Sequence, residues 1–193
     1  MPRTSVDTRD RIVKAANALF YRFGIRAVSV DAIAHKAGVT KKSLYYHFKS
    51  KDDLVAAYLV SRDQPNLIQF RRWFEEADGT ASDRIGSIFR NIAMVAGSRK
   101  WKGCGFLRTA SELIDTPGHP AVKAASNHKR KLEQWLTDAI REHGVEEAPR
   151  IARQVVLLLD GAFSAMLVHF DTAYIECAGE AAATLVQSAT KSV

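Results

Sequence analysis

The chain has few of the residues that indicate a disulfide scaffold or a metal site. Its 193 residues include two cysteines, Cys104 and Cys177, with no Cys-x-x-Cys pair and no histidine spaced to complete a zinc site. A disulfide framework is unnecessary at this length, so a reducing cytoplasm is the simpler expectation. The N-terminal stretch MPRTSVDTRDR lacks the apolar core of a signal peptide. We therefore expect a cytoplasmic protein with no metal and no cofactor.

Long uninterrupted apolar runs are also missing. The longest, VVLLLDGAFSAMLVHF (Val155–Phe170), is broken by Asp160 and His169, and it falls short of the roughly 18 residues that a membrane span needs. No membrane contact is expected. Proline and glycine are scarce, at five and eleven residues, and extended β-branched alternation is almost absent, while 47% of the residues are hydrophobic. This composition predicts an all-α protein with a real core.

Positive charge is concentrated in the first quarter of the chain. Residues 1–51 contain 11 of the 28 Lys and Arg residues but only three of the 21 acidic ones, which gives this segment a formal charge of +8. The remaining residues hold 17 basic and 18 acidic side chains, a charge of −1. The asymmetry indicates a head that faces nucleic acid and an electrically neutral body. A merely soluble basic helix is the alternative that charge alone leaves open.

The basic segment has the spacing of a helix-turn-helix. Apolar residues from Asp7 to Phe23 fall on one helix face, and Gly24 ends that helix. Ser29 can cap a second helix that closes at Gly38, and Thr40 can cap a third that runs to Phe48. Two short helices joined by a few residues that include a glycine are typical of this motif. Residues 1–51 are therefore predicted to form a DNA-binding domain.

The pattern of residues 52–193 predicts a second helical domain. The two domains together are expected to contain about nine helices. The fourth helix starts at Ser50 and runs toward Glu76, with Pro65 expected to bend or interrupt it. The later helices are predicted at Ser82–Ser98, Phe106–Asp115, Ala121–His143, about 147–171 and Tyr174–Thr190.

The eighth predicted helix, about 147–171, is apolar around nearly its whole circumference. Such a helix must be buried on all sides, so we expect a second chain to cover the face that the core leaves free. The ninth, 174–190, would permit close approach of helices through small residues: Ala178, Gly179, Ala181, Ala182 and Ala183. A homodimer through these two helices is the prediction, and a central helix of a monomer is the alternative.

The segment SVDAIAHKAGVTKKSLYYHFKSKDDLV (Ser29–Val55) resembles the signature of TetR-family bacterial regulators, with its I-A-x-x-A-G-V, L-Y-Y-H-F and K-S-K-x-x-L elements. The resemblance is strong over about Asp7–Val60. It implies a dimeric repressor that reads a palindromic operator in double-stranded DNA with its third helix and is released by a small-molecule effector. An activator stays open as the alternative to a repressor. Lys42 departs from the family pattern, since many members carry glycine there, and this puts the base preference in question.

Candidate DNA contacts cluster around the third helix. Hydroxyl groups at its start and at the start of the second helix suit phosphate, and two lysines can reach phosphates or guanine edges. By match to the family motif, one tyrosine is a candidate for base contact, and Tyr46, His47 and Lys51 for the backbone. Leu44 and Phe48 are expected in the core, and His47 could instead cap or pack. The predicted DNA-binding residues are Ser29, Thr40, Lys41, Lys42, Ser43, Tyr45, Tyr46, His47 and Lys51.

The resemblance also implies an effector cavity among the fourth to eighth helices, whose filling tilts the fourth helix and changes the spacing of the DNA-binding heads. Each large side chain available to line it could equally be plain core. The candidates are Phe70, Trp73, Phe89, Phe106, Trp135, Phe163 and Met166.

Three other functions compete with this interpretation. Cys104 lies between two glycines near basic residues and could be a thiol sensor of electrophiles or oxidants. An all-α enzyme could pair Cys104 or Ser111 with His119 or His128, but no G-x-S-x-G, H-E-x-x-H or phosphate-binding glycine loop supports it, and no catalytic residue is assigned. A ligand-binding dimer that has lost DNA recognition would have a neutral or acidic head, which the charge of residues 1–51 argues against.

Overall fold

The computed structural model describes residues 5–190. The predicted domains, 1–51 and 52–193, also include residues 1–4 and 191–193, which lie outside the described part of the chain. Between Ser5 and Thr190 the chain forms nine helices and no strand, with one isolated antiparallel bridge between Val145 and Thr190. The all-α prediction is confirmed. The helices are α1 (Ser5–Phe23), α2 (Val30–Ala37), α3 (Lys41–His47), α4 (Lys51–Glu75), α5 (Ala81–Ala96), α6 (Gly105–Glu112), α7 (Pro120–Glu142), α8 (Ala148–His169) and α9 (Ala173–Ser188).

The chain divides into two compact units. The first unit runs to Gln64 and includes Gly105–Ser126, and the second unit comprises Pro65–Cys104 and the residues from Asn127 onward. The division falls inside α4 and α7, whereas the predicted boundary at 51/52 coincides with the start of α4. A functional boundary at 51/52 stays a prediction.

The core of the first unit is built where α1, α2 and α3 pack together. Ile12 on α1, Ile33 on α2 and Leu44 on α3 are all fully buried. Phe48, just after α3, is 3% exposed. The prediction that Leu44 and Phe48 belong to the core is confirmed, so Leu44 fixes which face of α3 is turned inward.

Two predicted caps fix the helix-turn-helix. Ser29 Oγ accepts from the backbone N–H of Ala32 at 3.1 Å and begins α2. Gly38 ends α2 in the left-handed conformation (φ 64°, ψ 41°), where a side chain is disfavoured. The N–H of Val39 then donates to the carbonyl of Ala34 at 3.0 Å, which closes the turn before α3 begins.

Helix α4 passes through Pro65 without interruption. The prediction that Pro65 interrupts this helix is therefore wrong. Proline removes one helical hydrogen bond at a cost of about 3 kcal/mol. Burial of Leu59 and Leu67, at 0% and 2% exposure, stabilises the helix on both sides of it. The predicted start at Ser50 is confirmed, because its Oγ accepts from the N–H of Asp53 at 3.0 Å.

Helix α6 is shorter than predicted. It ends at Glu112, and the following residues turn, with the N–H of Thr116 donating to the carbonyl of Leu113 at 2.9 Å. Leu113 and Ile114 continue the apolar helical spacing of the sequence, but in the structure they belong to this turn. The shift places Glu112 at the helix end.

In the second unit, α5, α8 and α9 pack closely around a shared core. A Cβ added at Gly179 would lie 2.5 Å from the Cβ of Phe89 on α5, so only glycine permits this approach. The small residues of α9 are therefore divided between two faces: Gly179 and Ala182 are buried, while Ala181 is exposed.

Helix α8 is long and apolar enough to cross a membrane by length and composition alone, with a mean hydropathy of 1.6 over its most apolar window. The core helix of a water-soluble protein has the same properties. Its inward face, which includes Val155, Leu159 and Phe163, belongs to the core of the second unit. This packing accounts for the apolar residues of the inward face, whereas Leu157 and Val168 on the same helix are exposed.

Candidate nucleic-acid interface

Helix α3 presents one apolar and one polar face. Leu44 points into the core, while Lys41, Lys42, Tyr45 and Tyr46 are exposed around it. Tyr46 is 81% exposed and Tyr45 is 43% exposed. Tyrosine combines an apolar ring with a hydroxyl that donates and accepts hydrogen bonds, so two exposed tyrosines beside two exposed lysines form a surface suited to an external polar partner.

The hydroxyl groups predicted to bind phosphate are engaged as helix caps. Thr40 Oγ1 accepts from the N–H of Ser43 at 3.1 Å, as Ser29 Oγ does from Ala32. Each hydroxyl keeps its own hydrogen, which can still be donated to a phosphate oxygen. The caps also fix both hydroxyls at the surface, where Ser29 and Thr40 are exposed.

The three predicted lysine contacts lie in different environments. Lys41 Nζ lies 3.1 Å from Asp31 Oδ2 in an exposed ion pair, and Lys42 is exposed. Lys51 is half-buried. Burial lowers the pKa of its ammonium group, and the negative charges of Asp52 and then Glu112 oppose that shift. Lys51 therefore faces two acidic groups of its own chain.

His47 is half-buried, and its ring meets the ring of Tyr46 edge-on at 5.2 Å between centroids. This ring contact favours an outward position of the Tyr46 side chain, next to the segment between α3 and Lys51. The nine predicted DNA contacts thus lie on α3, its cap, the start of α2 and the start of α4. Their contact with DNA stays a prediction.

Arg11 has a structural role that its sequence position does not reveal. Its Nη2 donates to the carbonyls of Ala37 and Gly38, at 3.1 Å for Gly38. A Cβ added at Gly38 would lie 3.0 Å from this nitrogen. Arg11 therefore ties α1 to the turn of the helix-turn-helix. On a basic helix nothing in the sequence distinguishes it from a solvated charge.

Arg9 is a second basic residue turned toward the protein. Its guanidinium carbon lies 5.1 Å from the centre of the Phe48 ring, which is a cation–π distance. Arg26 lies 3.7 Å from Asp115 in an exposed ion pair. The surplus charge of the first 51 residues is thus partly used within the chain.

The predicted effector residues divide between the units. Phe89, Phe163 and Met166 are buried in the core of the second unit, and Phe70, Trp73 and Trp135 are half-buried against it. Phe106 is buried in the first unit. Trp101 also belongs to this aromatic set, since its ring lies 5.9 Å from that of Phe163. An effector role for any of them stays a prediction.

The residues of the competing functions have structural contacts. Ser111 Oγ donates to the carbonyl of Leu107 at 3.0 Å, and the buried His119 accepts the N–H of Ala121 at its Nδ1, also at 3.0 Å. Neither contact is a nucleophile–base pair. Cys104 is half-buried and Cys177 is exposed, and both are free thiols.

Comparisons with known proteins agree on one family. Residues 12–58 match the family model for bacterial regulatory proteins of the tetR family. The HTH-type transcriptional regulator SrpR of Pseudomonas putida is 41% identical over 64 residues, which are 33% of this chain and 30% of that protein. The HTH-type transcriptional repressor KstR2 of Mycolicibacterium smegmatis is 28% identical over 143 residues, 73% of this chain and 67% of that one.

A solved structure extends the likeness over nearly the whole chain. A TetR-family transcriptional regulator from Streptomyces coelicolor superposes with a TM-score of 0.82 and 26% identity, covering 95% of this chain and 96% of that one. The sequence similarity to SrpR is confined to less than a third of that protein's length. The proteins that this chain resembles are all named as regulators. This confirms the predicted family and the prediction that the chain is a regulator and not an enzyme.

Proposed function

Because the chain belongs to the TetR family of bacterial regulatory proteins, we propose that it binds palindromic double-stranded DNA as a homodimer and represses transcription until a small molecule releases it. The observation that carries the proposal is the two-sided character of α3. Leu44 anchors the helix in the core, and Lys41, Lys42, Tyr45 and Tyr46 are exposed around it.

In this proposal α3 lies in the major groove, which admits a helix and displays a distinct pattern for each base pair. Tyr45 and Lys42 face base edges, and Tyr46, His47 and Lys51 hold the phosphates. Ser29 and Thr40 donate their hydroxyl hydrogens to phosphates. Phosphate contacts orient the protein and only base contacts select the sequence, so substitutions in the two groups have different effects.

The proposed dimer is built on α8 and α9. Together these helices line an open groove of about 830 Å³ whose wall is mostly apolar and includes Leu157, Ala165, Ala181 and Leu185. Leu157 is 65% exposed and Val168, on the same helix, is 70% exposed. A contiguous apolar surface of this kind is characteristic of an interface. A second copy related by a two-fold axis would cover it with the same two helices.

A dimer suits the proposed operator, because two copies of α3 would read two half-sites of a palindrome about one helical turn, or a multiple of it, apart. Effector release requires only a modest coupling free energy. Typical values of about 1–3 kcal/mol weaken binding about 5- to 150-fold. The proposed effector lies among aromatic side chains of the second unit, Phe70, Trp73, Phe89, Trp135 and Phe163. The proposed location is the cytoplasm, where DNA and reduced thiols are found.

Alanine substitutions on α3 test the proposal. Tyr45→Ala and Lys42→Ala should each weaken binding to a duplex selected from a random library by about 5- to 150-fold, since a base contact is worth about 1–3 kcal/mol. Sedimentation should show an intact dimer in both. Lys123→Ala, which removes an exposed charge on α7, is the control. If both α3 variants bind the selected duplex as tightly as the wild type, α3 is not the reading helix.

A further inference from the structure

The loop between α1 and α2 (Gly24–Ser29) holds a carboxylate from α6. Backbone N–H groups of Ile25 and Arg26 both donate to Glu112 Oε2, at 2.7 and 3.0 Å. Gly24 is in the left-handed conformation, with φ at 85°. Consecutive N–H groups that converge after a left-handed residue form a concave site for an anion. Here the anion is the protein's own Glu112.

The fit around Gly24 is close. A Cβ added there would lie 2.9 Å from Glu112 Oε1 and 3.2 Å from Oε2. The glycine therefore serves two purposes: it permits the positive φ that ends α1, and it leaves room for the carboxylate. Residues Gly105–Ser126 belong to the same compact unit as α1–α3, so this contact lies within one unit.

Further contacts join α6 to the same region. Arg108 Nη1 donates to the carbonyl of Tyr21 near the end of α1, at 2.9 Å. Arg26 and Asp115 form the exposed ion pair already described. The bonds made by Arg108 and Glu112 are both charge-assisted, but Glu112 accepts from two backbone N–H groups of the loop at once, which makes it the strongest candidate to fix the loop.

The loop that Glu112 holds leads directly into α2. Ser29, a proposed phosphate contact, ends the loop and caps α2, and α2 packs on α3. We propose that Glu112 is a positioning residue for DNA binding, whose carboxylate fixes the α1–α2 loop and so holds Ser29, α2 and α3 in the arrangement that reads DNA. This inference rests on the proposed DNA-binding function.

The sign of the effect separates positioning from plain electrostatics. Removing a negative charge near a DNA-binding surface should by itself leave DNA affinity unchanged or raise it, because phosphates repel carboxylates. If Glu112 positions the loop, Glu112→Gln and Glu112→Ala should instead weaken binding to the selected duplex, by about tenfold, the equivalent of about 1.4 kcal/mol and close to one lost charge-assisted hydrogen bond. Asp115→Asn, which removes the same charge three residues away, is the matched control and should not weaken binding.

Amide hydrogen exchange supplies a readout that does not involve DNA. In both Glu112 variants the amides of Ile25 and Arg26 should exchange faster than in the wild type, while those of the α4 core should stay protected, which shows that the chain is folded. The Asp115→Asn variant should keep the protection of both loop amides. Glutamine retains the shape of the glutamate side chain and one acceptor oxygen. The Glu112→Gln variant can therefore be measured even if Glu112→Ala folds poorly.

The outcomes are distinct. Weaker binding of the selected duplex, together with faster exchange at Ile25 and Arg26, supports the inference. Wild-type affinity in both Glu112 variants, or a gain equal to that of Asp115→Asn, overturns it and leaves the proposed function intact. A wild-type protein that binds no duplex at low salt overturns the proposed function and this inference together.

Discussion

Replacing Arg11 by methionine should destabilise the turn between α2 and α3. The guanidinium group donates to the carbonyls of Ala37 and Gly38, which are among the last carbonyls of α2 and have no helical partner of their own. Methionine has a similar length but no donor, so the substitution removes the hydrogen bonds and the charge and retains most of the packing volume.

The expected cost follows from the two contacts. A hydrogen bond from a charged donor contributes about 1.5–3 kcal/mol when it is buried. The bond to Ala37 is partly buried and the bond to Gly38 is exposed, so water can replace part of the interaction. A net loss of about 1–2 kcal/mol is expected, and for a chain of this size it lowers the melting temperature by about 2–8 °C.

Thermal unfolding at high salt, without DNA, is the assay, because it isolates stability from DNA contact. Lys14→Met, on the same helix and exposed, is the control, since it removes one positive charge and no turn contact. Equal melting temperatures for the Arg11 and Lys14 variants would show that Arg11 does not hold the turn.

Three other substitutions test separate parts of the structure. Leu157→Glu should convert the dimer to a monomer in sedimentation experiments, because it places a charge in the apolar groove of α8 and α9. Gly179→Ala should lower the free energy of unfolding in urea by about 1–3 kcal/mol, since its Cβ would lie 2.5 Å from that of Phe89. Thr80→Ala should raise the pKa of Asp83, measured by NMR titration, because the hydroxyl and then the N–H of Thr80 hold that pKa below its ordinary value. The stability from this capping box is present above the ordinary aspartate pKa and is lost as the pH falls through the lowered folded value.

For each of these three predictions, one result would contradict it. Val60→Glu, on an exposed position of α4, is the control for Leu157→Glu, and equal dimer populations in the two variants would place the interface elsewhere. A Gly179→Ala protein as stable as the wild type would mean that α5 and α9 can separate at little cost. An unchanged Asp83 titration would show that the Thr80 hydroxyl does not stabilise the carboxylate.

The helix-turn-helix could be predicted from sequence because its signals are local. Ser29, Gly38 and Thr40 lie where caps and a left-handed residue are required, and each occupies that position in the structure. The inward direction of Leu44 and Phe48 follows from helical spacing alone. The family resemblance then supplied the direction of the remaining side chains of α3, which periodicity left open.

The contacts that join distant segments could not be predicted. Arg11 and Glu112 lie 27 and 86 residues from Gly38 and Arg26, the residues that they contact, and each resembles a solvated charge in its local sequence. The continuity of α4 through Pro65 also depended on tertiary packing, which offset a local helix breaker. Local rules therefore predicted the helices of the candidate site, and the network that holds them became visible only in the structure.

The central claim is that a dimer reads a palindrome through α3, and one measurement tests it most directly: selection of bound duplexes from a random library by the wild-type protein and by Tyr45→Ala at the same salt concentration. The account predicts that the wild type enriches an inverted repeat with half-sites about one helical turn, or a multiple of it, apart, and that Tyr45→Ala loses preference within each half-site. Enrichment of no sequence by the wild type, or of the same repeat with equal strength by both proteins, would contradict it.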